Sequence, residues 1–159
     1  MMKDKNYKSR KVGLPPGTIE YPSSRKTIKS NIRSISFNEK NYSIEEYQNI
    51  EDLFPLKPAS NIHWIDIDGY PSSETLEQLG KKLELHPLVL EDIATLDERP
   101  TIEDYENILF IILSAISIDD KTNVIEKEQI SIILGDNVVV SIQEKGDNIF
   151  NTIKERIEL

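Results

Sequence analysis

The chain contains no cysteine and only two histidines among its 159 residues. Without cysteine it can form neither a disulfide nor a thiolate metal site, which is consistent with a cytosolic setting. The histidines, His63 and His86, belong to no His-x-x-x-His or His-x-His pair, so a zinc or nickel centre has little nitrogen to use. Any metal site in this chain would therefore depend on oxygen ligands.

Long apolar runs and surplus positive charge are missing as well. The longest apolar stretch, residues 108–118, is interrupted by Ser114 and Ser117 and is far shorter than the roughly 20 residues that a membrane helix needs. Residues 1–8 lack the apolar core of a signal peptide. The net charge of -9 argues against nucleic-acid binding, because phosphate neutralisation needs clustered Lys and Arg. An acidic surface suits a cationic partner such as a divalent metal, although most of these charges serve solubility.

The sequence also lacks the usual signatures of an enzyme. It has no Gly-x-Ser-x-Gly elbow, and the Gly-Leu-Pro-Pro-Gly run at 13–17 lacks the Lys-Ser/Thr of a phosphate-binding loop. Asp66 and Asp68 lie two apart on a predicted strand and project from the same face, so they could hold a divalent ion as in some metal-dependent transferases. We favour the alternative that they mark a strand end reaching solvent before the turn at residues 69–71.

The pattern of apolar residues predicts an α/β fold behind a polar, basic arm. Residues 1–28 are interpreted as an extended or mobile N-terminal arm, and residues 29–159 as one globular domain. Strands, amphipathic helices and one hairpin alternate along the domain. They predict a mixed β-sheet sandwiched between helices, with a C-terminal β-hairpin feeding a helix that is cut short. The missing stop signal after this last helix indicates a domain excised from a longer chain.

Individual elements follow from local signals. Strands are predicted at 34–37, 63–68 and 108–117, the last apolar on both faces as in a central strand, and a hairpin at 128–143. Ser43 and Glu46 fit a capping box, which predicts a short helix from Ser43 toward Asp52. Leucines spaced three and four apart predict a helix over 73–85, and Pro87 is suited to open the next one.

The helix that Pro87 opens contains the candidate metal-binding residues. Its sequence, His-Pro-Leu-Val-Leu-Glu-Asp-Ile at 86–93, ends in the adjacent carboxylates Glu91 and Asp92. On a helix their side chains diverge by roughly 100 degrees and cannot simply chelate one ion together. Magnesium prefers six oxygens, so further ligands would have to come from elsewhere. On spacing alone, a solvated helix face is the more common use of such a pair.

Six segments together resemble a known family. They are residues 13–18, 41–46, 64–69, 86–105, 128–130 and 143–145, of which 86–105 is the most specific. In combination they resemble the N-terminal cytoplasmic domain of CorA-type magnesium/cobalt transporters. The resemblance covers most of the chain.

The resemblance implies a fold, an assembly and a site. It implies a mixed sheet between helices, placed on the cytoplasmic side of a homopentamer that lies in the cell membrane through segments outside this chain. It implies that Asp92 helps to hold a divalent cation between adjacent subunits and that Glu91 contributes to a neighbouring site. The cation would be Mg²⁺, with Co²⁺ or Ni²⁺ as alternatives, and the domain would gate the pore through metal bound between subunits.

Three other interpretations stay open at this point. The chain could be a free-standing soluble metal-responsive interaction module, or a domain of a zinc-transporting relative of the same superfamily. It could also be a metal-dependent enzyme that uses Asp66 and Asp68. The sequence does not decide which cation is physiological or in which direction it moves.

Overall fold

A seven-stranded mixed β-sheet forms the centre of the domain. The computed structural model describes residue 15 and residues 17–19, 30–95, 98–118, 122–144 and 149–157. Its strands run in the order β2-β1-β3-β7-β6-β5-β4. They are β1 (Asn31–Phe37), β2 (Tyr42–Tyr47), β3 (Ile62–Asp68), β4 (Thr101–Tyr105), β5 (Ile108–Ile118), β6 (Ile125–Leu134) and β7 (Val138–Gln143).

One parallel pairing makes the sheet mixed. β3 and β7 run parallel at the middle of the sheet, and every other neighbouring pair is antiparallel. A parallel pair needs a long crossover, and here the chain between β3 and β7 supplies two helices and three strands. The α/β prediction with a mixed sheet is therefore confirmed, as is the hairpin of β6 and β7.

Two helices cover one face of the sheet. They are α1 (Ser73–Leu83) and α2 (Pro87–Ala94). The Ser72 side chain caps α1 by accepting the Thr75 N–H at 3.0 Å, and Leu76 and Leu79 are fully buried beneath it. Gly80 lets α2 approach closely, because a β-carbon at that position would lie 2.6 Å from Leu90 Cδ1. This packing sets the position of α2 over the sheet.

A third helix, α3 (Asn151–Ile157), lies on the opposite face. The ring of Phe150, just before α3, packs against the Trp64 ring in a T-shaped arrangement, with centroids 5.7 Å apart and planes at 83°. Lys154 of α3 is buried against β3. The sheet is thus sandwiched between helices, as the sequence predicts.

Two local predictions are wrong. The residues from Ser43 do not begin a helix: they belong to β2, which pairs with β1 from Tyr42 to Tyr47, and only a 3₁₀ helix follows at Ile50–Leu53. Strand pairing over six residues outweighs a local capping signal worth about 1 kcal/mol. β5 is second from the edge rather than central, and Ile116 beyond its pairing with β4 is 71% exposed.

Candidate functional site

The N-terminus of α2 is held by a histidine cap. His86 precedes the helix, and its Nδ1 accepts the Leu88 N–H at 3.2 Å. Pro87 occupies the first turn, where its missing N–H costs no hydrogen bond. The His86 ring also stacks on the Tyr105 ring of β4, with centroids 5.6 Å apart. Both contacts fix the direction in which α2 presents Glu91 and Asp92.

Glu91 contacts a segment far away in the sequence. Its Oε2 accepts the backbone N–H of Gly17 at 2.8 Å, across a separation of 74 residues. This donor is neutral, so the contact orients the carboxylate without adding positive charge. Part of the N-terminal arm therefore lies on α2 at one of the two residues that the sequence singles out. The extent of the arm's mobility stays a prediction.

The charge of Asp92 acts on Tyr105 of β4. Burial, the hydrogen bond that Tyr105 donates to Glu103 at 2.8 Å and the charges of Glu103 and Asp92 raise the pKa of Tyr105 to about 12. The Asp92 carbonyl oxygen accepts a hydrogen bond from Gln129 Nε2 at 3.3 Å, which ties the end of α2 to β6. The Asp92 carboxylate is thus close enough to the end of β4 for its charge to be felt there.

The described residues bring no third metal ligand to this pair. Among residues 15, 17–19, 30–95, 98–118, 122–144 and 149–157, no three His, Asp or Glu side chains are grouped so that they could hold a metal ion. Glu91 and Asp92 are both partly exposed and follow one another on α2. Carboxylate oxygens fit a hard divalent cation such as Mg²⁺. Their role as metal ligands stays a prediction.

The second carboxylate pair has a different environment. Asp66 is fully buried and forms an ion pair with Lys154, while Arg33 Nη1 lies 3.9 Å from the same carboxylate. Ser141 Oγ donates to Asp66 Oδ1 at 2.6 Å. The expectation that Asp66 reaches solvent is therefore wrong. The cation beside Asp66 is the ammonium group of Lys154. The structure therefore does not support a metal ion at Asp66 and Asp68, which the enzyme interpretation requires.

Asp68 shares this environment in part. Gln143 Nε2 donates to Asp68 Oδ1 at 2.8 Å and approaches Asp66 Oδ1 at 3.4 Å. Burial and the Asp66 charge raise the pKa of Asp68, whereas Lys154 and Arg33 act in the opposite direction. Asp66 and Asp68 do share one face of β3, as their spacing predicts, and the structure shows that this face is covered by α3.

Sequence reasoning missed Lys154, although a signal for it exists. Phe150, Ile153 and Ile157 indicate one apolar face of the last helix, and Lys154 lies four residues after Phe150 and three before Ile157. Helical spacing places it on that same face. A lysine in an apolar stripe needs a buried partner, and the paired aspartates of β3 are the matching acidic group.

The remaining histidine has a structural environment. His63 on β3 is 1% exposed, and its Nε2 lies 2.9 Å from the carbonyl oxygen of Pro58. The Nε2 of His63 is thus engaged inside the protein. Among the helices that the structure describes, none has the length and apolar character needed to cross a membrane.

Comparison with known proteins gives a consistent family. Residues 59–159 match the family described as CorA-like Mg²⁺ transporter protein. The chain is 35% identical over 161 residues to the cobalt/magnesium transport protein CorA of Thermotoga maritima, an alignment that covers 98% of this chain and 44% of that protein.

Solved structures agree at the level of the fold. The full-length CmaX protein matches with a TM-score of 0.64 at 16% identity, over 82% of this chain and 39% of that one. The soluble domain of CorA from Methanocaldococcus jannaschii matches with a TM-score of 0.54 at 22% identity, over 84% of this chain and 48% of that one. The chain therefore spans less than half the length of each of these proteins.

Proposed function

The chain belongs to the family of CorA-like Mg²⁺ transporter proteins, and on that premise we propose that it is the cytoplasmic regulatory domain of a divalent-cation transporter. The family is one of transporters and not of enzymes. The observation that carries the proposal is the placement of Glu91 and Asp92 on α2, whose side chains diverge and so offer oxygens to ions shared with another subunit. In the competing pair, Asp66 is already ion-paired with Lys154.

The assembly proposed for the full-length protein is a homopentamer in the cell membrane. Asp92 of one subunit supplies one side of an inter-subunit site, and Glu91 contributes to a neighbouring site. The bound ion is Mg²⁺, with Co²⁺ or Ni²⁺ as alternatives, since carboxylate oxygens can ligate all three cations. The curated relative is a cobalt/magnesium transport protein, which supports this choice of cargo.

The mechanism proposed for regulation is a metal-dependent balance between carboxylate repulsion and attraction. Two carboxylates from neighbouring subunits repel by about 4 kcal/mol at about 4 Å and an effective dielectric constant of about 20. A divalent cation between them turns the net repulsion into attraction and favours a closed, symmetric ring of subunits. When the cytoplasmic Mg²⁺ concentration falls, the ion dissociates and the carboxylate repulsion favours the conducting state. The ion acts as an effector because its affinity differs between the two states.

Transport by the reconstituted full-length protein tests the proposal. We expect liposomes containing it to take up Mg²⁺, and we expect Mg²⁺ on the cytoplasmic face to inhibit uptake. Asp92→Asn should shift the inhibitory concentration upward, because the neutral amide removes the charge that makes the ion an effector. Asp104→Asn, an exposed carboxylate on neighbouring β4, is the matched control and should leave inhibition unchanged.

Each outcome decides a different part of the proposal. Inhibition that is equal in the wild type and in Asp92→Asn would reject gating through Asp92. A protein that carries only Zn²⁺ would instead be the zinc-transporting relative, and one that carries none of the four metals would reject transport. Parallel uptake assays with Mg²⁺, Co²⁺, Ni²⁺ and Zn²⁺ therefore belong in the same experiment.

A further inference from the structure

A tight turn in the N-terminal segment is built around Gly17. The Thr18 N–H and the Thr18 hydroxyl both donate to the Pro15 carbonyl oxygen, at 3.3 and 2.6 Å. Gly17 has a φ of 84°, a conformation that costs glycine little and other residues considerably more. Ile19, which follows, packs against the hydrophobic core. We call residue 15 and residues 17–19 the N-terminal turn.

The N-terminal turn is seated on the first residue of α2. A β-carbon added at Gly17 would lie 2.5 Å from the Pro87 β-carbon, so only glycine permits this approach. The approach brings the Gly17 N–H to 2.8 Å from Glu91 Oε2, one turn further along α2. Three features therefore coincide at one position: a positive φ, contact with Pro87 and a hydrogen bond to Glu91.

We propose that the N-terminal turn is a positioning element for the Glu91 carboxylate, and that Gly17 sets the affinity of the metal site to which Glu91 contributes. This inference rests on the proposed function. A carboxylate that ligates a metal is usually hydrogen-bonded in turn by a neighbouring donor, which orients it before the ion arrives. A backbone N–H suits this task because it restrains the oxygen and itself carries no net charge.

The size of the effect follows from comparable supporting groups. Loss of such a partner lowers metal affinity by about 10-fold to 100-fold in known sites. Gly17→Ala both strains the positive φ and places a methyl group against Pro87, so it moves the N–H away from Glu91. We expect it to weaken Mg²⁺ binding by about 10-fold, since a single donor is lost while the ligands remain.

Amide NMR of the chain provides a test that does not depend on transport. In the wild type, we expect the Gly17 amide resonance to shift on titration with Mg²⁺ together with the amides of α2. Glu91→Gln keeps an acceptor for the Gly17 N–H but removes the charge, so it should keep slow hydrogen exchange at Gly17 and lose the Mg²⁺ response there. Glu91→Leu should lose both. Gly17→Ala should show weaker Mg²⁺ binding at the α2 amides.

A matched control separates this effect from general strain. Gly69 has a φ of 85° but lies at the end of β3, where its N–H donates to the Gln143 carbonyl oxygen at 3.0 Å. Gly69→Ala therefore introduces the same backbone strain without touching Glu91, and it should leave Mg²⁺ affinity unchanged. Thr18→Val is a milder second variant, because it removes only the hydroxyl bond within the turn, and it should weaken binding to a smaller extent.

The outcomes distinguish this inference from the proposed function. If Gly17→Ala and Thr18→Val bind Mg²⁺ as tightly as the wild type while Glu91→Gln does not, the metal site stands and the positioning role is overturned. If neither Gly17 nor any α2 amide of the wild type responds to Mg²⁺, the site itself is overturned in this chain and the inference with it. Fast exchange of the Gly17 amide in the metal-free wild type would also contradict the proposal.

Discussion

Lys154 of α3 and Asp66 of β3 form an ion pair in which the carboxylate side chain is 0% and the lysine side chain 8% exposed. The Lys154 ammonium also lies 5.8 Å from the centre of the Trp64 ring. Arg33 Nη1 lies 3.9 Å from an oxygen of the same carboxylate. The pair thus joins the last described helix to β3, next to the central strand β7 and beside the contact of Trp64 and Phe150.

Removing the lysine should destabilise the domain. Lys154→Met leaves the Asp66 charge buried without its closest cation, and loss of one partner of such a pair costs about 3 to 5 kcal/mol. Arg33 offsets part of this loss, so we expect a decrease of about 3 kcal/mol in the free energy of unfolding, measured with urea. Arg156→Met on the exposed side of α3 is the control and should change it by less than about 0.5 kcal/mol.

The double variant Asp66→Asn with Lys154→Met tests the physical cause. Both charges are then absent, and the asparagine still offers an oxygen to the Ser141 hydroxyl. We expect it to recover most of the stability that Lys154→Met loses, because no uncompensated charge remains. A double variant as unstable as Lys154→Met alone would show that packing of the lysine stem, rather than its charge, holds α3.

A chain of hydrogen bonds through Ser141 supports the same contact. Trp64 Nε1 donates to Ser141 Oγ at 2.8 Å, and Ser141 Oγ donates to Asp66 Oδ1 at 2.6 Å. Ser141→Ala leaves the buried indole N–H and one carboxylate oxygen without this partner. We expect a loss of about 2 kcal/mol in unfolding free energy. In Trp64→Phe the same alanine substitution should cost less, and equal costs in both backgrounds would contradict the coupling.

Asp68 should reduce stability at neutral pH. Burial and the Asp66 charge raise its pKa, so folding favours the protonated form. The stability that the protonated Asp68 carboxyl contributes is fully present at acidic pH, and it is lost as the pH rises through the pKa of the folded state. Asp68→Asn should therefore raise the melting temperature at pH 7 and lose this advantage in acid. The exposed Glu77→Gln serves as the control, and a stabilisation independent of pH would contradict this explanation.

Tyr105 should report on the charge of its neighbours. The pKa of Tyr105 is raised to about 12, so folding favours the protonated phenol. This contribution to stability is fully present below a pH of about 10 and is lost as the pH rises through about 12. Glu103→Gln should lower this pKa toward 10, and Asp92→Asn should lower it by less, since Glu103 is the hydrogen-bond acceptor. The ¹³Cζ resonance of Tyr105 measures the shift. Glu106→Gln, an exposed neighbour, should leave it in place.

The isolated chain should bind Mg²⁺ weakly. Because the proposed partners of Asp92 lie on another subunit, we expect a dissociation constant of about 1 mM or more and a mainly monomeric chain. Isothermal titration calorimetry and light scattering measure both quantities. Micromolar binding that Asp92→Ala abolishes, or a stable pentamer of this chain, would contradict these expectations.

Much of the fold follows from local signals in the sequence. Leucine spacing predicts α1, Pro87 predicts the start of α2, and the turn residues before Val138 predict the hairpin of β6 and β7. These signals succeed because each depends on neighbours within a few residues. The capping signal at Ser43 fails because Ser43 belongs to β2, which pairs with β1 along its whole length. The hydrogen bonds to this separate strand outweigh the local signal.

The sequence by itself determined the alternation of helices and strands, the absence of cysteine chemistry and the presence of two carboxylate pairs. Only the tertiary structure decided what each pair faces. It places Lys154 against Asp66 across 88 residues and Gly17 against Glu91 across 74 residues. The energy of a charge depends on the groups within a few ångströms of it, and those groups are brought there by packing rather than by proximity along the chain.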